Sequence, residues 1–287
     1  MKKVFVIGSS VCDVIINIKR IPSRGEDENI ISQSLNIGGC AFNVAYMLNF
    51  FHVPFDLFSP IGKGIYGDYV RDVFIKERIP ILLNSEDNNG CCYCLVEKNG
   101  ERSFICEHGA EYFLKKEWFD TIDASIYDYV YVCGLEIEEY SGDYIIDFLE
   151  FHRHLKIIFA PSPRINHIDK NRMNRLLALS PILHLNDKEL LEYTNMTSIE
   201  EASCFLYSIT HNLIIVTLGE NGCYYFDGNH HYFDSIPTKV IDTIGAGDSH
   251  IGTIIAMLYN HCSLDDCMIK ANEIASKVVN QKGARLK

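Results

Sequence analysis

The segment Asp242-Thr243-Ile244-Gly245-Ala246-Gly247-Asp248, followed by the apolar run Ile251-Gly252-Thr253-Ile254-Ile255-Ala256-Met257-Leu258, has residue types and spacing that could do chemistry. Small residues at 245–247 let the backbone turn sharply and keep Cβ atoms away from whatever approaches. The amides that follow are the unpaired first-turn donors of a helix, at its positive dipole end. Such a terminus accepts an anion and suits the charge that develops on a transferring phosphoryl group. A carboxylate in that turn is poorly placed to bind the anion, but well placed to accept a proton from an attacking hydroxyl. Asp248 is therefore read as a general base beside an anion hole formed by Gly245, Ala246 and Gly247. The plainer reading of the same four residues is a capping turn.

The elements that must position this turn are legible as a rhythm. Short apolar runs without alternation (Val4–Ile7, Phe55–Phe58, Tyr129–Cys133, Ile157–Ala160, Ile182–Leu185, Leu213–Thr217) read as parallel strands covered on both faces. Between them the pattern predicts amphipathic helices over Phe42–Phe51, Tyr66–Glu77, Asp143–His154, Glu200–Thr210, Gly247–Tyr259 and Leu264–Asn280. Strand–helix alternation predicts an α/β layered domain with a central, mostly parallel sheet flanked by helices. Asn29–Ile37, Cys91–Val96 and Ser103–Cys106 break the rhythm, the last two flanking Lys98-Asn99-Gly100-Glu101. Asn-Gly between β-type runs signals a type I′ hairpin, so a small antiparallel sheet is expected to project as a lid that excludes water. The division expected is a large domain of residues 1–13, 38–88 and 108–287 and a lid of residues 14–37 and 89–107. Edge strands of the main sheet are the competing reading of these segments.

Composition excludes several classes. The chain has 287 residues, 47% hydrophobic and 22% charged, with a net charge of −12, which argues against nucleic acid because phosphate-backbone binding needs a basic surface. The N-terminal apolar stretch Val4–Ile18 is broken by Gly8-Ser9-Ser10, Cys12-Asp13 and Asn17, so neither a spanning helix nor a secretory signal is expected. The 11 cysteines, odd in number and scattered through apolar runs, suit reduced thiols in a cytoplasmic protein. Cys91-Cys92-Tyr93-Cys94 is not a zinc site by this reading, since adjacent residues of a strand point to opposite faces.

The Asp242–Asp248 motif resembles the C-terminal signature of the ribokinase-like, or PfkB, carbohydrate kinases. Gly38-Gly39-Cys40-Ala41-Phe42-Asn43-Val44-Ala45 is similar to that family's N-terminal glycine motif. Ile61–Asp68, Gly100-Glu101-Arg102, Asn186-Asp187-Lys188-Glu189 and Thr217-Leu218-Gly219-Glu220-Asn221-Gly222 match further motifs in family order, across nearly the whole chain. The resemblance implies a ribokinase-like three-layer fold with a β lid, and a kinase that transfers phosphate from ATP to a hydroxyl, primary by expectation, of a sugar or sugar derivative. It implies Asp248 as base and Asp13, Gly38, Gly39, Asn43 and Glu136 as substrate-binding. Asn186, Glu189, Thr217, Gly219, Gly222, Asn272 and Gly283 are implied around the nucleotide, with Mg2+ held through water by Glu189 and K+ near Asp242 and Thr243. Without the family, Asn186 and Glu189 read equally well as a helix capping box, and Glu136 as a solvated surface acid.

The departures from the family pattern are specific. Gly62-Lys63-Gly64 lacks the acid common there, and Ala160-Pro161-Ser162-Pro163-Arg164 stands where many relatives carry an Asp. His250 replaces an aromatic residue, and Cys40, Ala41 and Phe42 make the substrate motif unusually apolar. A nucleoside kinase on the same fold and a catalytically silent sugar-binding regulator are the alternatives. An NAD-dependent dehydrogenase is disfavoured because Gly8-Ser9-Ser10-Val11-Cys12 lacks the Gly-x-Gly-x-x-Gly turn. Exposed lid edges make a homodimer through the lid an expectation.

Overall fold

The computed structural model describes residues 2–286. Its strands are β1 (Lys3–Ile7), β2 (Val11–Asn17), β3 (Ser32–Gly38), β4 (Phe55–Phe58), β5 (Pro60–Lys63), β6 (Leu83–Asn88), β7 (Cys91–Val96), β8 (Arg102–Glu107), β9 (Tyr127–Cys133), β10 (Lys156–Ala160), β11 (Ile182–Asn186), β12 (Ile214–Thr217), β13 (Cys223–Phe226) and β14 (His230–Phe233). An eight-stranded sheet runs β14-β13-β12-β11-β10-β9-β1-β4, parallel from β4 through β12. Each expected parallel strand falls in this sheet.

Residue parity explains the three layers. Val4, Val6, Tyr129, Tyr131 and Ile158 join one core cluster with Phe42, Leu48, Val70, Ile254, Ile255 and Met268 from helices on that face. Their chain neighbours Phe5, Ile7, Val130, Val132, Ile157 and Phe159 join a second cluster with Ile145, Leu149, Leu176 and Leu206. Alternate side chains of a strand point to opposite faces, so a run without alternation has helices on both. Among the described residues no helix is long and apolar enough to cross a membrane.

Beyond the parallel run, β13 and β14 add an antiparallel hairpin to one edge. Its turn carries Gly228 at φ 114°, a signal present in Asp227-Gly228-Asn229.

The small sheet has the order β3-β2-β7-β8. It is mixed rather than antiparallel, because β2 pairs with β7 in parallel while β2–β3 and β7–β8 are antiparallel. It also begins earlier than expected, at Val11, since only Gly8, Ser9 and Ser10 separate β2 from β1. The β7–β8 turn differs from type I′. Of its residues only Gly100 has positive φ, at 91°, and its N–H donates to the Glu97 carbonyl while the Glu97 N–H donates to Glu101. A tight turn closed by one left-handed glycine needs no positive φ at Asn99.

Gly39 joins β3 to the Cys40–Phe50 helix at φ 95°, and a Cβ there would lie 2.3 Å from the Ser9 carbonyl oxygen. Gly39→Ala is expected to destabilise the fold by about 1–3 kcal/mol from the backbone conformation alone, with the clash adding to it. The check is a lower urea midpoint at unchanged m-value.

Candidate active site

Gly245 adopts φ 74° and caps the helix Ala246–Tyr259, placing Asp248 in its first turn. A Cβ at 245 would meet the Ala284 Cβ at 2.2 Å, whereas one at Gly247 would meet nothing within 4 Å. The turn is packed on one side and open on the other. Two cavities adjoin it. One, of about 730 Å³, is lined by Asp13, Asn36, Gly38, Asn43, Gly245 and Asp248 among others. The second, of about 650 Å³, is lined by Thr217, Gly219, Gly222, Ala246, Gly247 and Asn272 among others. The first turn of this helix thus forms the partition between the two spaces.

The Asp248 carboxylate accepts a hydrogen bond of 2.7 Å from Asn43 Nδ2. Burial raises its pKa above the ordinary carboxylate range, and hydrogen bonds from Asn43 and Cys40 hold the rise down. A base with a raised pKa takes up a proton more readily, provided it is ionised at the working pH. Asn43 is itself buried on the helix that opens after Gly39, so one side chain ties the two glycine-marked turns together.

Asp13 stands on β2, and burial pushes its pKa up to about 7. Gly38, which pairs with Val11 on the neighbouring β3, leaves it room, for a Cβ there would lie 2.1 Å from Asp13 Oδ2. An ungrouped, desolvated carboxylate in a cavity is a ready acceptor for a substrate hydroxyl. Asn17, Ser34 and Asn36 line the same cavity from the small sheet. Sequence reading missed them; the available signal was strand alternation, which puts Asp13, Ile15 and Asn17 on one face of β2.

Several expected site residues sit elsewhere. Glu136 is neither solvated nor a lining residue; it is 2% exposed, and its Oε1 accepts a 2.8 Å hydrogen bond from the Ser9 amide. It supports the β1–β2 turn from beneath, in a place where burial raises its pKa. Asn186 and Glu189 close on each other as a capping box. The Asn186 side chain accepts from the Glu189 amide at 2.7 Å, and Glu189 accepts from both Asn186 nitrogens at 3.1 and 2.8 Å. Neither lines the two cavities. Gly283, expected near the nucleotide, lines the cavity of Asp13 and Asp248 instead.

Asp242, expected near a monovalent cation, is held by N–H donors. Its Oδ1 accepts from Arg102 Nη1 and the Ile244 amide and its Oδ2 from the Gly283 amide, each at 3.0 Å. Although burial works against ionisation, these donors lower its pKa. With three N–H donors on its two oxygens, Asp242 clasps the turn to β8 and to the C-terminal segment. Thr243, its neighbour, lines the other cavity. Arg102 was legible only as part of Gly-Glu-Arg; its contact spans 140 residues. Arg164 pairs with Glu138 through two nitrogens and is not free to meet a phosphate.

The comparisons with known proteins bear on family and fold. The pattern of the pfkB family carbohydrate kinases matches residues 1–287. The chain is 31% identical over 288 residues to an uncharacterised sugar kinase, YegV, of Escherichia coli (strain K12), covering 98% of this chain and 90% of that one. It is 29% identical over 274 residues to a nucleoside kinase of Thermoplasma acidophilum, covering 93% and 86%. Among solved structures, a ribokinase from Thermotoga maritima superposes with a TM-score of 0.87 at 21% identity, covering 99% of this chain and 95% of that one. A ribokinase of Arabidopsis thaliana complexed with ribose and ATP gives 0.82 at 19% identity, covering 99% and 94%. A match along the whole sequence, carried by a fold of the same kind, makes this chain a member of the pfkB family of carbohydrate kinases, with the ribokinase-like architecture.

Proposed function

We propose that this kinase transfers the γ-phosphoryl group of ATP to a hydroxyl of a sugar or sugar-like acceptor, with Asp248 as the base. The observation that carries the reading is the partition: one helix N-terminus borders two cavities and holds a carboxylate in the same turn. ATP lies in the cavity of Thr217, Gly219, Gly222 and Asn272, and the acceptor lies between Asp13, Gly38 and Asn43. The amides at 245–248 meet the charge that builds on the phosphoryl oxygens, and Asp248 takes the hydroxyl proton as the O–P bond forms. The small sheet, with Asp13, Asn17 and Asn36 facing the acceptor, acts as the lid that keeps water from competing.

Magnesium fits this site through phosphate oxygens and water rather than a carboxylate cage, since Glu189 is committed to its capping box. Bound there it would neutralise phosphate charge. A nucleoside acceptor is the second reading, favoured by the Thermoplasma acidophilum relative and by Ile15, Ile37, Val96 and Ile241 on the acceptor cavity wall. A second copy of the chain covering the exposed Phe104 and Ile105 of β8 would make the dimer.

The test is ADP release from MgATP across pentoses, hexoses, sugar acids and nucleosides. The account expects a sugar to give the highest kcat/KM. A nucleoside winning by tenfold or more, about 1.4 kcal/mol, would replace the acceptor assignment, and saturable sugar binding without ADP from any acceptor would make the protein a binder.

A further inference from the structure

We infer that Cys92 and Cys106 are an oxidation site, at which a low-molecular-weight disulfide converts the two thiols into a cross-strand disulfide of the small sheet. Both are free thiols, and their sulfurs lie 3.3 Å apart across β7 and β8. The antiparallel register makes them direct partners, and direct partners have Cα atoms about 4.5 or 5.5 Å apart. Either separation falls inside the range of about 4.4–6.8 Å that a disulfide spans, so no change in strand pairing is needed. Cys106 is exposed, which lets a small oxidant reach it from solvent, and Cys92 beside it is partly buried.

The pairing is specific and its register is held firmly. Across β8 from Cys91 and Cys94 stand Glu107 and Phe104, so neither of those cysteines meets Cys106 in register. Beyond the pair, the two strands leave the sheet through Gly90 and Gly109. A Cβ on Gly90 would lie 1.8 Å from the Glu107 carbonyl oxygen, and one on Gly109 would lie 2.1 Å from the Gly90 nitrogen. Glu111 clasps this crossing. Its Oε2 accepts from the Gly90 amide at 2.9 Å and from Asn89 Nδ2 at 3.0 Å, and its Oε1 accepts from the Gly109 amide at 3.0 Å. Thiols set opposite each other by the backbone react as an intramolecular pair, with little freedom left to lose. Cys92 is also the register partner of Asp13 on β2, so the bond forms beside the cavity that Asp13 lines.

The chemistry is two successive thiol–disulfide exchanges. The Cys106 thiolate attacks one sulfur of the small disulfide and expels the first small thiolate, leaving a mixed disulfide. The Cys92 sulfur then attacks Sγ of Cys106, giving up its proton and expelling the second small thiolate. One S–S bond forms in the protein and one breaks in the reagent. Two electrons pass from the cysteines to the reagent, and the two cysteine protons end on its two thiols. Burial, the contact with Cys106 and the charge of Asp13 all raise the pKa of Cys92. The exposed Cys106 is therefore the first to react, and Cys92 resolves the mixed disulfide.

The experiment treats the folded full chain with oxidised glutathione, blocks the remaining thiols by alkylation and maps tryptic peptides by mass spectrometry. Cleavage after Lys98 and Arg102 separates peptide 79–98 from peptide 103–115, so only a disulfide holds them together. The two are expected as one species, two hydrogen masses below their sum, which dithiothreitol separates. Cys94→Ser should keep the link, whereas Cys92→Ser should lose it and carry glutathione on Cys106. A wild-type protein that stays unlinked, or that stops at glutathione on Cys106, would overturn the inference. So would a link that persists in Cys92→Ser, which would place the bond at Cys91 or Cys94. If that variant does not fold, fragmentation of the wild-type linked peptide decides: a bond at Cys92 upholds the site, and a bond at either neighbour overturns it.

Discussion

Asp248→Asn is expected to lower kcat by about 10²–10⁴ while both substrates still bind, because the variant keeps the shape of the turn and loses only the proton acceptor. Asn43 Nδ2 can still donate to the new amide oxygen, so the link between the two glycine-marked turns survives. The anion hole is backbone, so ATP affinity should change little. Steady-state turnover beside calorimetric binding separates the two effects. Turnover near the wild-type value with intact binding would remove Asp248 from its assigned role. Since burial raises the Asp248 pKa, wild-type kcat should climb with pH as the carboxylate ionises, and this limb should vanish in the variant.

Asp13→Asn carries the second large effect, and its sign differs between function and stability. The variant loses a charged acceptor for a substrate hydroxyl, a hydrogen bond worth about 1.5–3 kcal/mol, so kcat/KM should fall by about 10- to 150-fold, chiefly through KM. Stability runs the other way. A carboxyl whose folded pKa is raised from 3.8 to about 7 ionises first in the unfolded chain, so the free enzyme loses stability as pH rises from 4 to 7. Below pH 4 both states are protonated and the penalty is absent; above pH 7 it is fully present. The ligand-free Asp13→Asn protein should therefore melt higher than wild type at pH 8 and equally at pH 3.5. A variant that lost activity and stability together at pH 8 would mark Asp13 as structural.

Most of the fold was legible because local pattern and global role coincide in this architecture. The runs at Val4–Ile7 and Tyr129–Cys133 are apolar at every position since both faces are covered, and covered strands in register are parallel strands. Gly245 and Gly39 were legible as turns because their positive φ admits few other residues. What escaped was mostly long-range. The β2–β7 parallel pairing joins segments some eighty residues apart, and nothing local in Cys91–Val96 chooses β2 as its neighbour. Arg102 meeting Asp242 depends on where the small sheet lands.

Site roles divided along the same line. Asp248 and Asn43, each beside a glycine turn, and Asp13, on β2, line one cavity. Glu136 gives one oxygen to the Ser9 amide, its Oε2 being buried without a partner among the described residues, and the pair Asn186–Glu189 closes on its own helix start. A capping box and a phosphate-organising pair share one spacing, so sequence alone leaves both open. Asp242 illustrates the same limit, since a carboxylate ready for a cation looks identical in sequence to one engaged by three N–H donors.

The most direct test is a crystal structure with a non-hydrolysable ATP analogue and the accepted sugar bound together. The account predicts the γ-phosphate against the amides at 245–248, the nucleoside between Gly219 and Asn272, and one sugar hydroxyl within about 3 Å of an Asp248 oxygen. A sugar whose hydroxyls all face away from Asp248, or phosphates seated away from that helix terminus, would contradict it.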